Sequence, residues 1–382
     1  MVKFNIKHLA FLIVMCTIFS ACLSNSYDAN SDCISYMGRI DRSNPNYVAF
    51  SYPGVTIRTK FRGGAICAKF KDFADAKSGM HNTFYCIIDN GAPKKIALNG
   101  TQFEYLLGSH LDKTKTHTLE LVKLTESCVG EVGFCGFRVG EESGPDYLTA
   151  PDSLPNLKME FIGNSITCGY GNELSSMTPK MGFSPLNENN YYAWGAMTAR
   201  ALNAQYVCTA YSGKGLCRNY EGDTNNTLPQ LYNQTIANKA DKEWNHEDYK
   251  PDIIVLNAGT NDFGAETTTN VAVDSIQFIT EYTAFLYRLK SYHPEAVIIC
   301  AVGPMVNDEN KEHANQLTRY SQYVLTAIQK AGGEKKNIHY FETEPQKGPY
   351  GEDYHPTIAT HQEMAKGLVS FIISNGLIKA KN

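Results

Sequence analysis

From residue 33 to about 145, apolar and polar positions alternate with a period of two. Val55-Thr56-Ile57-Arg58-Thr59-Lys60-Phe61 sets apolar or threonine side chains on one face and polar ones on the other, and Ile66, Ala68 and Phe70 repeat that parity after Gly63-Gly64. Thr83–Ile88 is answered by Lys95–Leu98 across the turn signal Asp89-Asn90-Gly91, and Thr118–Leu124 and Phe134–Val139 follow at similar spacing. Short strands so spaced predict an all-β sandwich or jelly roll. After Pro155 the texture changes. Apolar runs at 158–162, 205–210, 252–257, 296–302 and 338–342 predict buried parallel strands, with helices over 191–202, 273–290 and 312–331 between them. Ile279, Tyr282, Leu286 and Leu289 fall on one face of the second helix, and a last helix is expected from Thr357 to about Ile373. Alternating strands and helices imply a parallel sheet with right-handed crossovers. A proline- and acid-rich stretch from Gly140 to Pro155 separates the textures, giving a β domain over 33–145, a linker over 146–156 and an α/β domain over 157–378.

The first 22 residues read as a targeting segment. Lys3 and Lys7 precede an apolar core from Leu9 to Phe19, too short for an ordinary spanning helix. Phe19-Ser20-Ala21-Cys22 resembles a bacterial lipobox, which would make Cys22 a lipid anchor; a plain secretory signal cut nearby is the alternative. Either way the chain is expected to be exported across the inner membrane, as a periplasmic or cell-surface lipoprotein in the first case. Residues 23–32 read as a short flexible tether.

Composition narrows the class without naming it. Hydrophobic residues make up 43% and charged residues 19%, an ordinary globular balance for a chain of 382 residues, long enough for two domains. A net charge of −4 offers no basic footprint for nucleic acid, so no nucleic-acid partner is expected. Of the 11 cysteines, Cys16 and Cys22 fall in the leader, and the remaining nine contain no C-x-x-C pair. No metal and no cofactor is therefore expected, while one or two disulfides stay open.

The most informative stretch is Phe161-Ile162-Gly163-Asn164-Ser165. A strand enters a glycine and a serine follows two residues on, the pattern of a tight turn that lifts a hydroxyl off a sheet edge into the start of a helix. The strand at 252–257 ends in Asn257-Ala258-Gly259-Thr260-Asn261-Asp262, a polar loop at a carboxyl end where open α/β sheets bind ligands. Gly351-Glu352-Asp353-Tyr354-His355-Pro356 comes last, with Pro356 suited to a first helical position and His355 left just outside. Taken singly each has a plain structural reading: Asn261 could close a turn, Gly213 could be a turn glycine, and His355 a surface histidine. His293 and His361 have no partner pattern, and Trp194 is expected in the core.

Together, Gly163-x-Ser165, Gly213 within Tyr211-Ser212-Gly213-Lys214-Gly215, Gly259-Thr260-Asn261-Asp262 and Asp353-x-His355-Pro356 resemble the four blocks of the SGNH (GDSL-like) hydrolases. Ser212–Leu216, Ile166–Gly171 and the preceding β region make the chain similar to carbohydrate esterase family 2, over roughly residues 35 to 375. The resemblance implies a three-layer α/β hydrolase fold behind a jelly-roll-like domain. It implies Ser165 as nucleophile, His355 as general base, and Asp353 as the group that orients it, although Glu352 and a backbone carbonyl remain alternatives. It also implies an oxyanion hole from the N–H groups of Ser165 and Gly213 and the Asn261 amide. Asn164 stands where the usual pattern has aspartate, outside these roles. The implied activity is removal of O-acetyl groups from acetylated polysaccharides or oligosaccharides of the xylan or glucomannan kind, with Tyr220 a candidate sugar contact. The competing reading is a non-catalytic carbohydrate-binding lipoprotein with a vestigial hydrolase fold.

Overall fold

Period-two alternation builds two antiparallel sheets. The computed structural model describes residues 25–140, 146–309 and 313–378, so the leader, the Cys22 anchor and Glu312 lie outside the described residues. The strands are β1 (Ser26–Asp28), β2 (Ser35–Met37), β3 (Val48–Phe50), β4 (Thr56–Arg62), β5 (Ile66–Asp72), β6 (Thr83–Ile88), β7 (Lys94–Ala97), β8 (Glu104–Gly108), β9 (Thr116–Lys123), β10 (Val132–Val139) and β11 (Tyr147–Thr149). One sheet runs β1-β10-β5-β8 with β3 also on β10, and the other β11-β4-β9-β6-β7 with β2 on β4. Ile57 faces Leu121 and Thr59 faces Leu119 across β4 and β9, and this row packs on Ile66, Ala68 and Phe70 of the opposite sheet. Phe134 and Phe137 differ in parity yet both are fully buried, because a bulge between Phe134 and Gly136 resets the register of β10.

Two expectations are corrected here. Ser26–Asp28, in the segment read as a tether, pairs with β10, and Tyr27 packs against the sandwich core. Tyr147–Thr149, read as linker, adds an edge strand to β4 with Leu148 buried. In both places three residues with a central apolar side chain find an open sheet edge, too short a pattern to stand out in sequence.

The second half forms a parallel sheet of β12 (Leu157–Gly163), β13 (Ala204–Ala210), β14 (Ile253–Leu256), β15 (Val297–Val302) and β16 (Ile338–Glu342), in the order β13-β12-β14-β15-β16. Helices α1 (Ser165–Cys168), α2 (Trp194–Ala201), α3 (Leu228–Leu231), α4 (Thr260–Thr269), α5 (Ser275–Tyr292), α6 (Gln316–Lys330) and α7 (Ile358–Ser374) complete it. Unbroken apolar strands are needed because both faces are covered. Ile254, Leu256 and Ile298 meet α5 and α6 on one face, and Ile253, Val255 and Ile299 meet α2 and α7 on the other, where Trp194 is core as expected. The nine described cysteines after the leader are free thiols, which resolves the open disulfide question.

The domains are joined by buried polar contacts. Arg39, in the loop after β2, is fully buried and reaches Glu160 on β12 at 2.9 Å and the carbonyls of Tyr232 and Gln234 at 2.6 and 3.0 Å. Removing one partner of such a buried pair typically costs about 3–5 kcal/mol, so the β domain is fixed to the sheet rather than tethered to it. The strand order reverses between β12 and β14, and the crevice at their carboxyl ends is where an open α/β sheet places its ligand.

Candidate active site

Each expected block sits at the end of a strand around that crevice. β12 delivers Gly163, where a Cβ would come within 2.2 Å of Thr167 Oγ1 and 2.8 Å of Thr167 Cβ, so glycine is required by the close return of α1. Asn164 caps α1, its side-chain oxygen accepting Ile166 N–H at 3.1 Å, and Ser165 is the first helical residue. The serine hydroxyl is thereby aimed into a cavity of about 630 Å³, lined among others by Tyr170, Gly213, Tyr220, Asn261 and His355.

His355 Nε2 lies 2.8 Å from Ser165 Oγ. Its Nδ1 lies 3.0 Å from the Glu352 backbone carbonyl. A carbonyl can only accept, so Nδ1 carries the proton and Nε2 offers its lone pair to the serine hydroxyl. Of the three candidates for orienting His355, the geometry therefore singles out the backbone. Asp353, the expected carboxylate, instead accepts from the Tyr170 hydroxyl and from Gly182 N–H at 2.8 Å. The Glu352 carboxylate is also turned away, taking Ser184 N–H at 3.0 Å and the Asn187 amide at 2.5 Å. The cause is local backbone. Asp353 and Tyr354 have φ of 47° and 62°, a left-handed turn that rolls the carbonyl of Glu352 under the ring and swings the Asp353 side chain outward. Such a turn suits aspartate but strains Tyr354. It is held by Gly351 N–H on the His355 carbonyl at 2.7 Å and Asp353 N–H on the Lys180 carbonyl at 3.0 Å.

Tyr170 has a part that sequence reasoning missed. Its ring stacks on the imidazole with centroids 4.2 Å apart, while its hydroxyl holds Asp353. The signal was its place in the Ile166–Gly171 block: Gly169, at φ 87°, ends α1 after one turn and sends Tyr170 back over the site.

Loss of hydration lowers the His355 pKa from 6.5 to about 4, partly offset by the backbone of Glu352 and by the charge and backbone of Asp353. The imidazole is thus neutral throughout the neutral range, with Nε2 able to accept a proton. The expected kcat/KM profile is flat near neutrality and falls only as pH drops toward about 4, where His355 protonates. Asp353→Asn removes a charge that favours the imidazolium, so the acidic limb should move lower still. Its turnover should stay within about 10-fold of the parent, whereas amidating a carboxylate that itself holds the tautomer costs about 10⁴. A pH profile on an aryl acetate checks both, and a loss near 10⁴ would return the orienting role to Asp353.

Three residues with candidate donors, Ser165, Gly213 and Asn261, line the cavity with His355. Neither Ser165 N–H nor Gly213 N–H finds an acceptor among the described residues. Gly213 has φ of 75° with open space around its α-carbon, so glycine is there for its left-handed backbone. Asn261 Nδ2 gives one hydrogen to the Lys214 carbonyl at 2.8 Å, which leaves the other for the cavity it lines. The loop read around Asn261 begins a helix, with Asn261 and Asp262 in the first turn of α4. Asp262 is fully buried and accepts the N–H groups of Leu216, Cys217 and Arg218 at 2.7, 2.7 and 3.1 Å, drawing the Gly213 loop onto α4. Burial pushes its pKa up to about 6 against those three bonds.

Tyr220 lines the cavity, is about half exposed and packs beside Gly264. His293 and His361 lie elsewhere, buried on the Tyr232 hydroxyl at 3.0 Å and the Trp194 N–H at 3.3 Å.

Both halves of the chain match known families. Residues 36–151 match the family described as carbohydrate esterase 2 N-terminal, and residues 161–363 match the GDSL-like lipase/acylhydrolase family. The chain is 36% identical over 351 residues, 91% of its length, to the cellulase/esterase CelE of Acetivibrio thermocellus, and spans 40% of that protein. It is 31% identical to an acetylxylan esterase/glucomannan deacetylase of Cellvibrio japonicus, covering 86% of each chain. A family two carbohydrate esterase from Clostridium thermocellum, solved in complex with cellohexaose, superposes with a TM-score of 0.79 at 34% identity, covering 90% of this chain and 100% of that one. With both halves matched in order, the chain belongs to carbohydrate esterase family 2.

Proposed function

We propose that the chain hydrolyses O-acetyl esters on polysaccharides or oligosaccharides of the xylan or glucomannan kind, through an acetyl-Ser165 intermediate. The observation that carries this is the 2.8 Å contact between His355 Nε2 and Ser165 Oγ beside two undonated backbone N–H groups. Ser165 Oγ attacks the acetyl carbonyl as His355 Nε2 takes its proton. The oxyanion that forms is met by Ser165 N–H, Gly213 N–H and Asn261 Nδ2. His355 then returns the proton to the departing sugar oxygen, and water, activated by the same nitrogen, releases acetate. The Glu352 carbonyl holds the imidazole tautomer, and the charge of Asp353 also favours the imidazolium.

The cavity, with the half-exposed Tyr220 ring at its wall, suits a sugar that can stack there. Relatives named as acetylxylan esterase/glucomannan deacetylase support the same substrate class. An assembled dyad favours catalysis over a vestigial binding fold. The test is acetate release from acetylated xylan and acetylated glucomannan by the chain lacking residues 1–22, with Ser165→Ala alongside. Release that Ser165→Ala abolishes supports the reading; no release from either polymer or from a small aryl acetate sinks it.

We further propose that the chain is exported and held by lipid on Cys22, on the strength of its basic start, short apolar core and lipobox-like Phe19–Cys22. Among the described residues, no helix is long and apolar enough to cross a membrane. Labelled fatty acid should enter the full-length chain and be lost in Cys22→Ala; equal labelling of both would refute the anchor.

A further inference from the structure

Resting on the esterase reading above, we infer that Glu126, a residue of the β domain, is a positioning residue for the oxyanion-stabilising loop. β9 runs into the α/β domain, where Asn190 N–H bonds the Leu124 carbonyl at 3.1 Å, and the next turn buries Glu126 completely. There its Oε2 accepts Ser212 N–H at 2.7 Å and its Oε1 accepts the Ser212 hydroxyl. Both contacts are to the residue before Gly213, so the carboxylate fixes the Ser212 frame from which the Gly213 N–H projects.

Gly213 has open space where a side chain would stand, and its carbonyl accepts Tyr220 N–H at 2.9 Å. Downstream the loop is tied by Asp262 and by Asn261 on Lys214. Upstream, Glu126 grips the backbone and hydroxyl of Ser212 together. Burial raises the Glu126 pKa, and the two Ser212 hydrogen bonds and the Lys123 charge pull it back toward the ionised form, which accepts both hydrogens. Lys123, equally buried, donates to the carbonyls of Thr125 and Glu126. Glu188 braces the site from the segment before α2, taking Glu126 N–H at 2.9 Å. Burial and the Glu126 charge push the Glu188 pKa well above the usual carboxylate range, so it sits there neutral. The two carboxyls and Cys168 Sγ lie within 4.8 Å of one another, with Lys123 as the buried counter-charge beside them.

The test compares Glu126→Ala, Glu126→Gln and Ser212→Ala with the parent on an aryl acetate, counting sites by phosphonate labelling of Ser165. Glu126→Ala should lower kcat per labelled site about 100-fold while KM moves by less than about threefold, because only the transition state uses the donor. Affinity for a tetrahedral boronic acid should fall by the same factor. Glu126→Gln keeps one acceptor for Ser212 N–H and should recover about half of that loss on a logarithmic scale. Ser212→Ala leaves Glu126 and the domain packing intact and should shift kcat and boronate affinity together, by a smaller factor. A merely structural role would lower the melting temperature and the labelled fraction but leave kcat per labelled site unchanged. That result in Ser212→Ala and Glu126→Gln overturns the inference even if Glu126→Ala does not fold. A folded parent with neither turnover nor labelling would instead overturn the esterase reading, and this role with it.

Discussion

Alanine at Ser165 is expected to cut acetate release about 10⁶-fold, the loss seen when a serine hydrolase is deprived of its nucleophile. The thiol on the same helix cannot replace the hydroxyl. Cys168, one turn further along α1, is fully buried, and burial holds its thiol pKa well above the ordinary range, so no thiolate is available. Water could be activated by His355, but it would lack the fixed approach that the Ser165 position gives the nucleophile. What remains should be the modest rate supported by the oxyanion donors and by binding. Deleting one oxygen from a site already open to the cavity should leave folding and oligosaccharide affinity nearly unchanged. Melting temperature and calorimetric titration with a glucan or mannan oligosaccharide check this. A variant retaining more than about 1% of parental turnover would place the nucleophile elsewhere.

The position of this site was largely legible because it hangs on strands that had to be apolar. β12 and β14 are covered on both faces, so Phe161-Ile162 and Ile253–Leu256 stood out as unbroken runs, and the residues following them could be placed at the sheet's carboxyl edge. Where backbone conformation rather than side-chain pattern decides, the sequence was silent. Spacing places a carboxylate two residues before His355. Only the left-handed turn at Asp353 and Tyr354 shows that a carbonyl faces Nδ1 instead. The start of α4 was hidden because its first turn is polar and follows Gly259 at φ 126°, both loop signals. Phe134 and Phe137 share a core only through a bulge, which alternation alone cannot reveal. Glu126 lies in the other domain, and an isolated glutamate at the end of a strand reads as a solvated residue until the fold buries it.

Asn261→Ala is expected to lower kcat by about 10²–10³, the usual cost of one oxyanion donor, with little change in KM. The asymmetry follows from charge. The ester carbonyl oxygen is only partly negative when substrate binds, and the full charge arises as Ser165 adds, so an amide aimed at that oxygen acts mainly on the transition state. Part of the effect could come from freeing the Lys214 carbonyl, which accepts the other Asn261 hydrogen at 2.8 Å. Asn261→Asp separates the two. It loses the same tether to Lys214 but adds a negative charge where the oxyanion forms, so at neutral pH it should be slower than Asn261→Ala. As pH falls through its own pKa the added carboxyl becomes neutral and can donate, so its deficit relative to Asn261→Ala should shrink. Paired kcat–pH profiles of the two variants on an aryl acetate show this crossing trend if Asn261 faces the oxyanion. Equal losses at every pH would mean that its work is confined to holding the Lys214 carbonyl and the shape of the Gly213 loop.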